Sequence, residues 1–367
     1  MQRAGLYIHI PFCRKRCTYC DFYSEGDAMP RLPRYIEALK AEINLRHLPS
    51  PQSPVGSVYF GGGTPSLLSV DQIEGLLQQL KARFSMTSDC EVTLEANPGT
   101  LDLHYLEALR NLGINRLSLG VQSFLDDELQ MMGRIHSSRQ VIKTIDDARS
   151  AGFDNLSIDL IYGLPGQSLA QWTTTLKRAI ALAPDHISAY TLTWSEHTPL
   201  GRRIEHGALE RPDEETVATI YETTVTQFAN GGYAQYEVSN FARPGYESVH
   251  NRAYWSGRPY LGLGASAHGF LPPARYWNHA DLDSYIETTE NNQLPEAGRE
   301  TLSKADVRLE EIALGLRRRE GIALALVANS SPLPRFVDAG WLTIEGDRVR
   351  PTSAGLFRAD GMATALA

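Results

Sequence analysis

Leu6-Tyr-Ile-His-Ile-Pro-Phe-Cys13-Arg-Lys-Arg-Cys17-Thr-Tyr-Cys20 is the stretch that decides the reading of this chain. Its first half, residues 6–12, is β-branched and aromatic and predicts a strand. Its second half packs three of the four cysteines into a C-x3-C-x2-C loop. Zinc sites usually pair two C-x2-C units, and no second pair follows. A 4Fe–4S cluster ordinarily takes four cysteine ligands. Three in one tight loop leave one iron uncovered, and an uncovered iron can bind a small molecule. Arg14, Lys15 and Arg16 lie between the cysteines, where positive charge favours thiolate over thiol and balances an anionic cluster. The competing readings are three reduced cysteines in a surface loop and an adventitious zinc site. Cys90 stands 70 positions further on, beside no other candidate ligand, and reads as an inert thiol.

Working outward, strand-like runs recur at residues 6–12, 58–60, 92–95, 117–124, 156–162 and 186–192. Helical periodicity fills the gaps, at 35–45, 72–84, 103–112, 170–182 and 213–229. Asp71 and Asp102 are placed as N-caps, and Gly113 and Gly152 as helix stops. Six strand–helix units with strands buried on both faces predict an α/β fold, a parallel sheet covered by helices. Six units are too few for a closed eight-stranded barrel. A partial, TIM-like (β/α)6 barrel is therefore preferred over an open doubly wound sheet. Either way the site belongs at the C-terminal ends of the strands.

Residues 1–235 form this expected core. Residues 236–280 read as a connecting strand at 236–241 and a long loop, 243–277, rich in Gly and aromatic residues. Residues 281–367 read as a C-terminal α+β, winged-helix-like cap, with helices at 281–290 and 304–319, a hairpin over 341–351 turning at Gly346-Asp347, and a closing helix from Ala354. Residues 296–367 carry 10 Lys+Arg and 10 Asp+Glu. That zero balance argues against a nucleic-acid partner for the cap.

The whole chain of 367 residues has a net charge of −8, so it is not built to attract polyanions. Its 42% hydrophobic and 21% charged content describes a folded, water-exposed protein. No run reaches the roughly 18–20 apolar residues of a membrane span. The first residues lack the pattern of a secretory signal. With no disulfide framework, a reducing, cytoplasmic location is expected. Partners could still bring the chain to a membrane surface, and a homodimer is left open.

C-x3-C-x-aromatic-C after the first strand resembles the radical S-adenosylmethionine (SAM) superfamily. That resemblance implies a partial barrel and a 4Fe–4S cluster on Cys13, Cys17 and Cys20, whose open iron chelates SAM. Tyr19 matches the aromatic position beside the adenine. Tyr7 to Cys13, Phe60-Gly-Gly-Gly-Thr-Pro65, Leu94-Glu-Ala-Asn-Pro98, Gly120-Val-Gln-Ser-Phe124, Gly133-Arg134 and Asp159-Leu-Ile-Tyr-Gly-Leu-Pro165 are similar to the branch containing oxygen-independent coproporphyrinogen III dehydrogenase. By that resemblance Gly62, Gly63 and Thr64 contact SAM, as glycine backbone can approach a ligand closely. Glu95 suits ribose hydroxyls or an amine. Gln122, Arg134 and Asp159 are further SAM-pocket residues, positions the oxidase of that branch uses around a second SAM, with Arg134 fitted to a carboxylate. Tyr7 either packs the core or touches SAM, and His9 reads as a structural strand residue.

Two departures argue against the oxidase of that branch. Its loop carries another cysteine just past the third ligand, where this chain has Cys20-Asp21-Phe22. It also has a long segment ahead of the first strand, where six residues precede Tyr7 here. One addition points elsewhere. His250-Asn251-Arg-Ala-Tyr254-Trp255 is H-N-x-x-Y-W, similar to the signature of the heme chaperone family HemW. Imidazole can ligate heme iron, and Tyr and Trp can pack on a porphyrin. His268 and His279 are further candidate ligands. Tyr246, Tyr260, Phe270, Tyr276 and Trp277 add aromatic surface nearby in sequence. Two functions follow from these resemblances. One is a carrier that binds heme and passes it to acceptor hemoproteins, among them respiratory enzymes. The other is a radical SAM enzyme of porphyrin metabolism, and the sequence favours the carrier.

Overall fold

The computed structural model describes residues 3–26, 28–48 and 53–367. The chain forms two compact units that interleave in sequence. The first takes residues up to Asp159 together with Thr193–Leu209 and Arg258–Thr301. The second takes Leu160–Leu192, Glu210–Gly257 and Leu302–Ala367. The fold is mixed α/β, with a large, mostly parallel sheet and a small antiparallel sheet near the C-terminus.

The strands of the parallel core are β1 (Ala4–Ile10), β2 (Val55–Gly62), β3 (Met86–Ala96), β4 (Arg116–Gln122), β5 (Leu156–Tyr162) and β6 (His186–Thr191). They match the six expected runs. In the first unit β1, β2, β3 and β4 pair in parallel in that order. Tyr7 stands opposite Tyr59, Tyr59 opposite Thr93, and Glu95 opposite Ser118. Paired residues share a face, and faces alternate along a strand. Leu6, Ile8, Ile10, Val58, Phe60, Leu94, Leu117 and Leu119 therefore line one face and are fully buried. The amphipathic helices Leu32–Leu45, Val70–Arg83 and Leu103–Leu112 supply the complementary apolar residues Tyr35, Leu39, Ile73, Leu76, Leu80, Leu106 and Leu109. The opposite face carries Tyr7, His9, Tyr59, Glu95, Ser118 and Gln122. Both faces are largely buried, as expected, but only one is apolar core, and the other is polar.

Other local expectations are also settled. Asp102 caps its helix by accepting from Tyr105 N at 2.8 Å, and Gly113 ends it with φ 100°. Asp71 is not a cap. Ser69 starts that helix in a reciprocal capping box with Gln72, which leaves Asp71 in the first turn. Residues 236–241 are not one strand. Of them only Asn240 and Phe241 are strand, in β8 (Asn240–Ala242), which pairs antiparallel with β7 (Ala234–Gln235). Nor is 243–277 a plain loop. It holds helix Val249–Trp255 and strands β9 (Tyr260–Leu263), β10 (His268–Leu271) and most of β11 (Ala274–Asn278). β9 joins β1 in parallel, and β10, β11 and β12 (Glu296–Thr301) follow antiparallel. In the second unit β13 (Ile322–Ala323), β14 (Leu342–Glu345) and β15 (Arg348–Pro351) form the small sheet, turning at Gly346 as expected. Ile312, Leu316, Leu342, Val349 and Met362 fill the core beside it.

A buried carboxylate pins the β9–β12 extension to the first helix. Glu42 is fully buried. It accepts from Arg46 Nε at 3.0 Å, Asn278 Nδ2 at 2.8 Å, Gly264 N at 2.8 Å and Tyr285 OH at 2.7 Å. Every lone-pair direction is served, which is what makes burying the charge tolerable. Glu42→Ala takes the acceptor from the buried Gly264 N and Tyr285 OH and leaves the Arg46 guanidinium, itself 3% exposed, with Glu296 and Asn278. Urea unfolding of the variant is expected to show a loss of about 3–5 kcal/mol. A loss below about 1 kcal/mol would show that the network is not what holds the extension.

Candidate functional site

The thiol loop opens where β1 ends. Its neck is closed by Cys13 N donating to Glu25 O at 3.0 Å and Glu25 N donating to Pro11 O at 2.7 Å. Cys13, Cys17 and Cys20 are all reduced and half-buried. Thr18 ties the loop to the chain after β4, with its N donating to Met132 O at 3.0 Å and Oγ1 to Met131 O at 2.9 Å. The close approach needs bare backbone opposite: a Cβ on Gly133, at φ 72°, would lie 3.3 Å from Thr18 N. Burial pushes the Cys20 thiol up and does the same to the Tyr19 phenol, with Arg134 opposing it at Tyr19.

A chain of hydrogen bonds links two of the thiols. Thr64 Oγ1 reaches Cys13 Sγ at 3.5 Å, and Asn97 Nδ2 donates to Thr64 Oγ1 at 3.0 Å. Arg134 donates to Asn97 Oδ1, to Gly120 O at 2.6 Å, and through Nη1 to Cys17 Sγ at 3.4 Å. A small, open cleft lies here, lined by Arg14, Lys15, Cys17, Thr64, Asn97 and Arg134 among others. Its charge is positive. Among the described residues no group of three or more His, Cys, Asp or Glu side chains gathers around a single-ion position. The fit to a cluster therefore rests on the donor set: three accessible thiols in one loop, two of them hydrogen-bonded and one beside a guanidinium.

The polar sheet face continues from this loop. Gly62, at φ 109°, ends β2, Gly63 follows it, and Gly63 N donates to Ile10 O at 2.9 Å. A Cβ on Gly63 would lie 2.7 Å from Phe12 O, so only glycine lets the turn meet the thiol loop. Glu95 accepts from Tyr59 OH at 2.7 Å and Gly62 N at 3.2 Å. Burial raises it to about 7, with Asp159 adding and the hydrogen bonds opposing. Asp159 accepts from Ser118 Oγ at 3.2 Å. Gln122 is buried with φ 66°, an uncommon conformation for a residue with a side chain, at the very end of β4. His9 Nε2 donates to Tyr23 O at 3.0 Å, so Nδ1 accepts from Tyr7 OH at 2.9 Å. Burial lowers His9 to about 4, which matches its expected structural part. Tyr7, the three cysteines, Tyr19, Gly62, Gly63, Thr64, Glu95, Gln122, Arg134 and Asp159 all fall in the first unit. Asn97, Tyr59 and Ser118 join them as residues the sequence reading did not single out. Asn97 lay inside a quoted motif, two positions after Glu95 and so on the same side of the chain.

The H-N-x-x-Y-W motif is in the second unit. It forms the helix Val249–Trp255, started by Ser248, whose Oγ accepts from Asn251 N at 3.2 Å. His250 is only 2% exposed, its ring edge-on to Tyr254 with centroids 4.8 Å apart. Asn251, Tyr254 and Trp255 are half-buried, and the Arg317 guanidinium lies 5.2 Å over the Trp255 ring. Of the other two candidates, His268 is exposed and His279 half-buried. Cys90 is buried and its thiol is pushed up to about 12 by burial, an inert group as expected.

Comparison with known proteins places this geometry. A model of the radical SAM superfamily matches residues 7–179. The heme chaperone HemW of Mycobacterium tuberculosis is 36% identical over 370 residues, covering 100% of this chain and 95% of that one. The heme chaperone HemW of Bacillus subtilis is 36% identical over 318 residues, covering 86% and 84%. A mitochondrial protein of Bos taurus, radical S-adenosyl methionine domain-containing protein 1, is 38% identical over 332 residues, covering 88% and 74%. Among solved structures, coproporphyrinogen III oxidase (HemN) from Escherichia coli, a radical SAM enzyme, superposes with a TM-score of 0.85 at 24% identity. It covers 99% of this chain and 90% of its own, a likeness of fold. The chain belongs to the heme chaperone HemW family of the radical SAM superfamily.

Proposed function

We propose that this chain binds heme and hands it to acceptor hemoproteins, on a core that holds a 4Fe–4S cluster and SAM. The observation that carries the proposal is the end-to-end likeness to heme chaperones at 36% identity. Cys20-Asp21-Phe22 and the H-N-x-x-Y-W helix support it, the first lacking the extra cysteine of the oxidase loop and the second adding a heme motif. We infer that β1–β6 with their helices make an open (β/α)6 barrel and that residues 281–367 make a winged-helix-like cap.

In this reading Cys13, Cys17 and Cys20 hold the cluster, which supplies one-electron chemistry toward SAM when both are bound. Arg134 and Thr64 direct positive hydrogen-bonding character at Cys17 and Cys13 and stabilise thiolate. The turn Gly62-Gly63-Thr64 offers backbone to SAM, Tyr19 and Tyr7 flank it, and Glu95, Gln122 and Asp159 supply acceptors along the polar face. On the heme side, the burial of His250 suits a part in setting the helix. Asn251, Tyr254 and Trp255 then present the accessible contacts. No helix among the described residues is long and apolar enough to cross a membrane, so any membrane contact would come through partners.

Titrating SAM into anaerobically reconstituted protein tests the core. Cys17→Ser is expected to lose the cluster's visible absorption and SAM binding together. Burial pushes Glu95 up to about 7, and the carboxylate is the better acceptor, so SAM affinity should rise between pH 6 and 8. Glu95→Gln should flatten that rise. Retained iron in Cys17→Ser, or an unchanged slope in Glu95→Gln, would contradict these roles.

The function itself is tested by giving the reconstituted protein hemin and, separately, coproporphyrinogen III under reducing conditions. The expected outcome is binding of about one heme per chain and no protoporphyrinogen IX. Formation of that product would return the chain to the enzyme reading.

A further inference from the structure

The segment after the helix Asp126–Met131 runs beside the end of β4 and grips it twice. Arg134 Nη2 donates to Gly120 O at 2.6 Å. Two residues on, His136 Nε2 lies 3.2 Å from Val121 O. A carbonyl oxygen only accepts, so Nε2 carries the ring proton and donates. Consecutive carbonyls of the strand end are thus held by alternate side chains of one segment. His136 is 5% exposed, and its Nδ1 is buried with no hydrogen-bond partner among the described residues. Burial, with Arg134 adding to it, lowers the imidazole to about 4, so the ring is neutral at neutral pH. Its single proton goes to the backbone of β4.

The carbonyl it holds closes a tight turn. Ser123 N donates to Val121 O at 2.9 Å across Gln122. That i to i+2 bond, with Gln122 at φ 66°, makes a γ-turn of the positive-φ kind, which is rare and strained. Glutamine has neither the freedom of glycine nor the short polar side chain of Asn or Asp that eases such a conformation. The surroundings impose it. Ser123 Oγ accepts from Leu125 N at 3.0 Å and donates to the buried Glu128, which fixes the far side of the turn. His136 fixes the near side. What the turn achieves shows at Gly120. A Cβ there would lie 3.0 Å from Asn97 Oδ1 and 3.1 Å from both Arg134 Nη2 and Gln122 Nε2. Three polar side chains converge over a bare glycine, and two of them, Asn97 and Arg134, belong to the chain that joins Cys13 to Cys17. Extended backbone at Gln122 would send its amide in another direction.

We propose that His136 is a positioning residue of this site: by donating to Val121 O it holds the γ-turn that aims the Gln122 amide at the SAM pocket. The proposal rests on the reading of this face as a SAM site and deepens it by naming what sets one of its side chains.

The test is SAM titration of the full chain with its cluster reconstituted anaerobically. His136→Ala should keep the cluster's visible absorption and weaken SAM binding by about ten-fold. Two further variants separate the hydrogen bond from the fit of the side chain. In His136→Gln the amide nitrogen stands as many bonds from Cβ as Nε2 does, and SAM affinity should return to within about two-fold of the parent. In His136→Asn the amide nitrogen falls at the place of Nδ1, and the loss should match that of His136→Ala. Because His136 acts through Gln122, adding His136→Ala to Gln122→Ala should cost less than about a further two-fold. Equal SAM affinity in the Gln and Asn variants, or the full ten-fold loss repeated on top of Gln122→Ala, would overturn the assignment while leaving SAM binding intact. A parent protein that carries its cluster and binds no SAM would instead overturn the reading of the face, and the assignment with it.

Discussion

Side chains on a strand must alternate between two faces, and this sheet gives the two faces different work. Leu6, Ile8 and Ile10 go to the helix side with Phe60, Leu94 and Leu117, all without exposure. Tyr7 and His9 go to the other side with Tyr59, Glu95, Ser118 and Gln122. A slip of one residue in any pairing would exchange the two sets, so burial of the apolar set fixes the register. The polar set is then assembled without needing stability of its own. The same constraint carries through β9 to β12, where the enclosed side holds Tyr276 and the open side holds His268 and Trp277.

Within that frame one guanidinium organises the loop chemistry. Arg134 spans Cys17, Asn97 and the Gly120 carbonyl, and Asn97 passes the connection through Thr64 to Cys13. These groups come from the C-terminal ends of β1, β2, β3 and β4 and from the turn after the helix Asp126–Met131. A planar fork with fixed donor directions suits that task better than a lysine, whose flexible ammonium would satisfy one partner at a time. The thiols thus sit in positive surroundings in a chain whose total charge is −8. The local field, and not the net charge, decides what the loop holds.

Much of this was legible in the sequence, because the telling residues are contiguous. The cysteine spacing and the six strand runs survive in the structure, with Gly61 and Gly62 ending β2 and Gly63 following it. What escaped depends on pairing. Tyr59 and Ser118 enter the site only once β2 is registered on β3 and β4, and no local pattern announces that. Ser69 and Gln72 were a capping box two residues from the chosen Asp71, so that miss was one of local weighing. The strands β9 to β11 are four or five residues long, too short to show a period. The burial of His250 is a tertiary fact: Ser248 N bonds to Tyr236 OH at 3.3 Å, and Tyr236 OH is held by His186 at 2.8 Å. A helix tied down at its start in this way turns the motif histidine inward.

The central claim is that heme held by this chain is cargo. Its most direct measurement is the rate at which heme-loaded protein converts a heme-free respiratory hemoprotein to its holo spectrum, compared with free hemin at equal concentration. The account predicts faster conversion from the loaded protein, with matching loss of its own heme spectrum. Conversion no faster than with free hemin, or heme retained by the chain throughout, would contradict it.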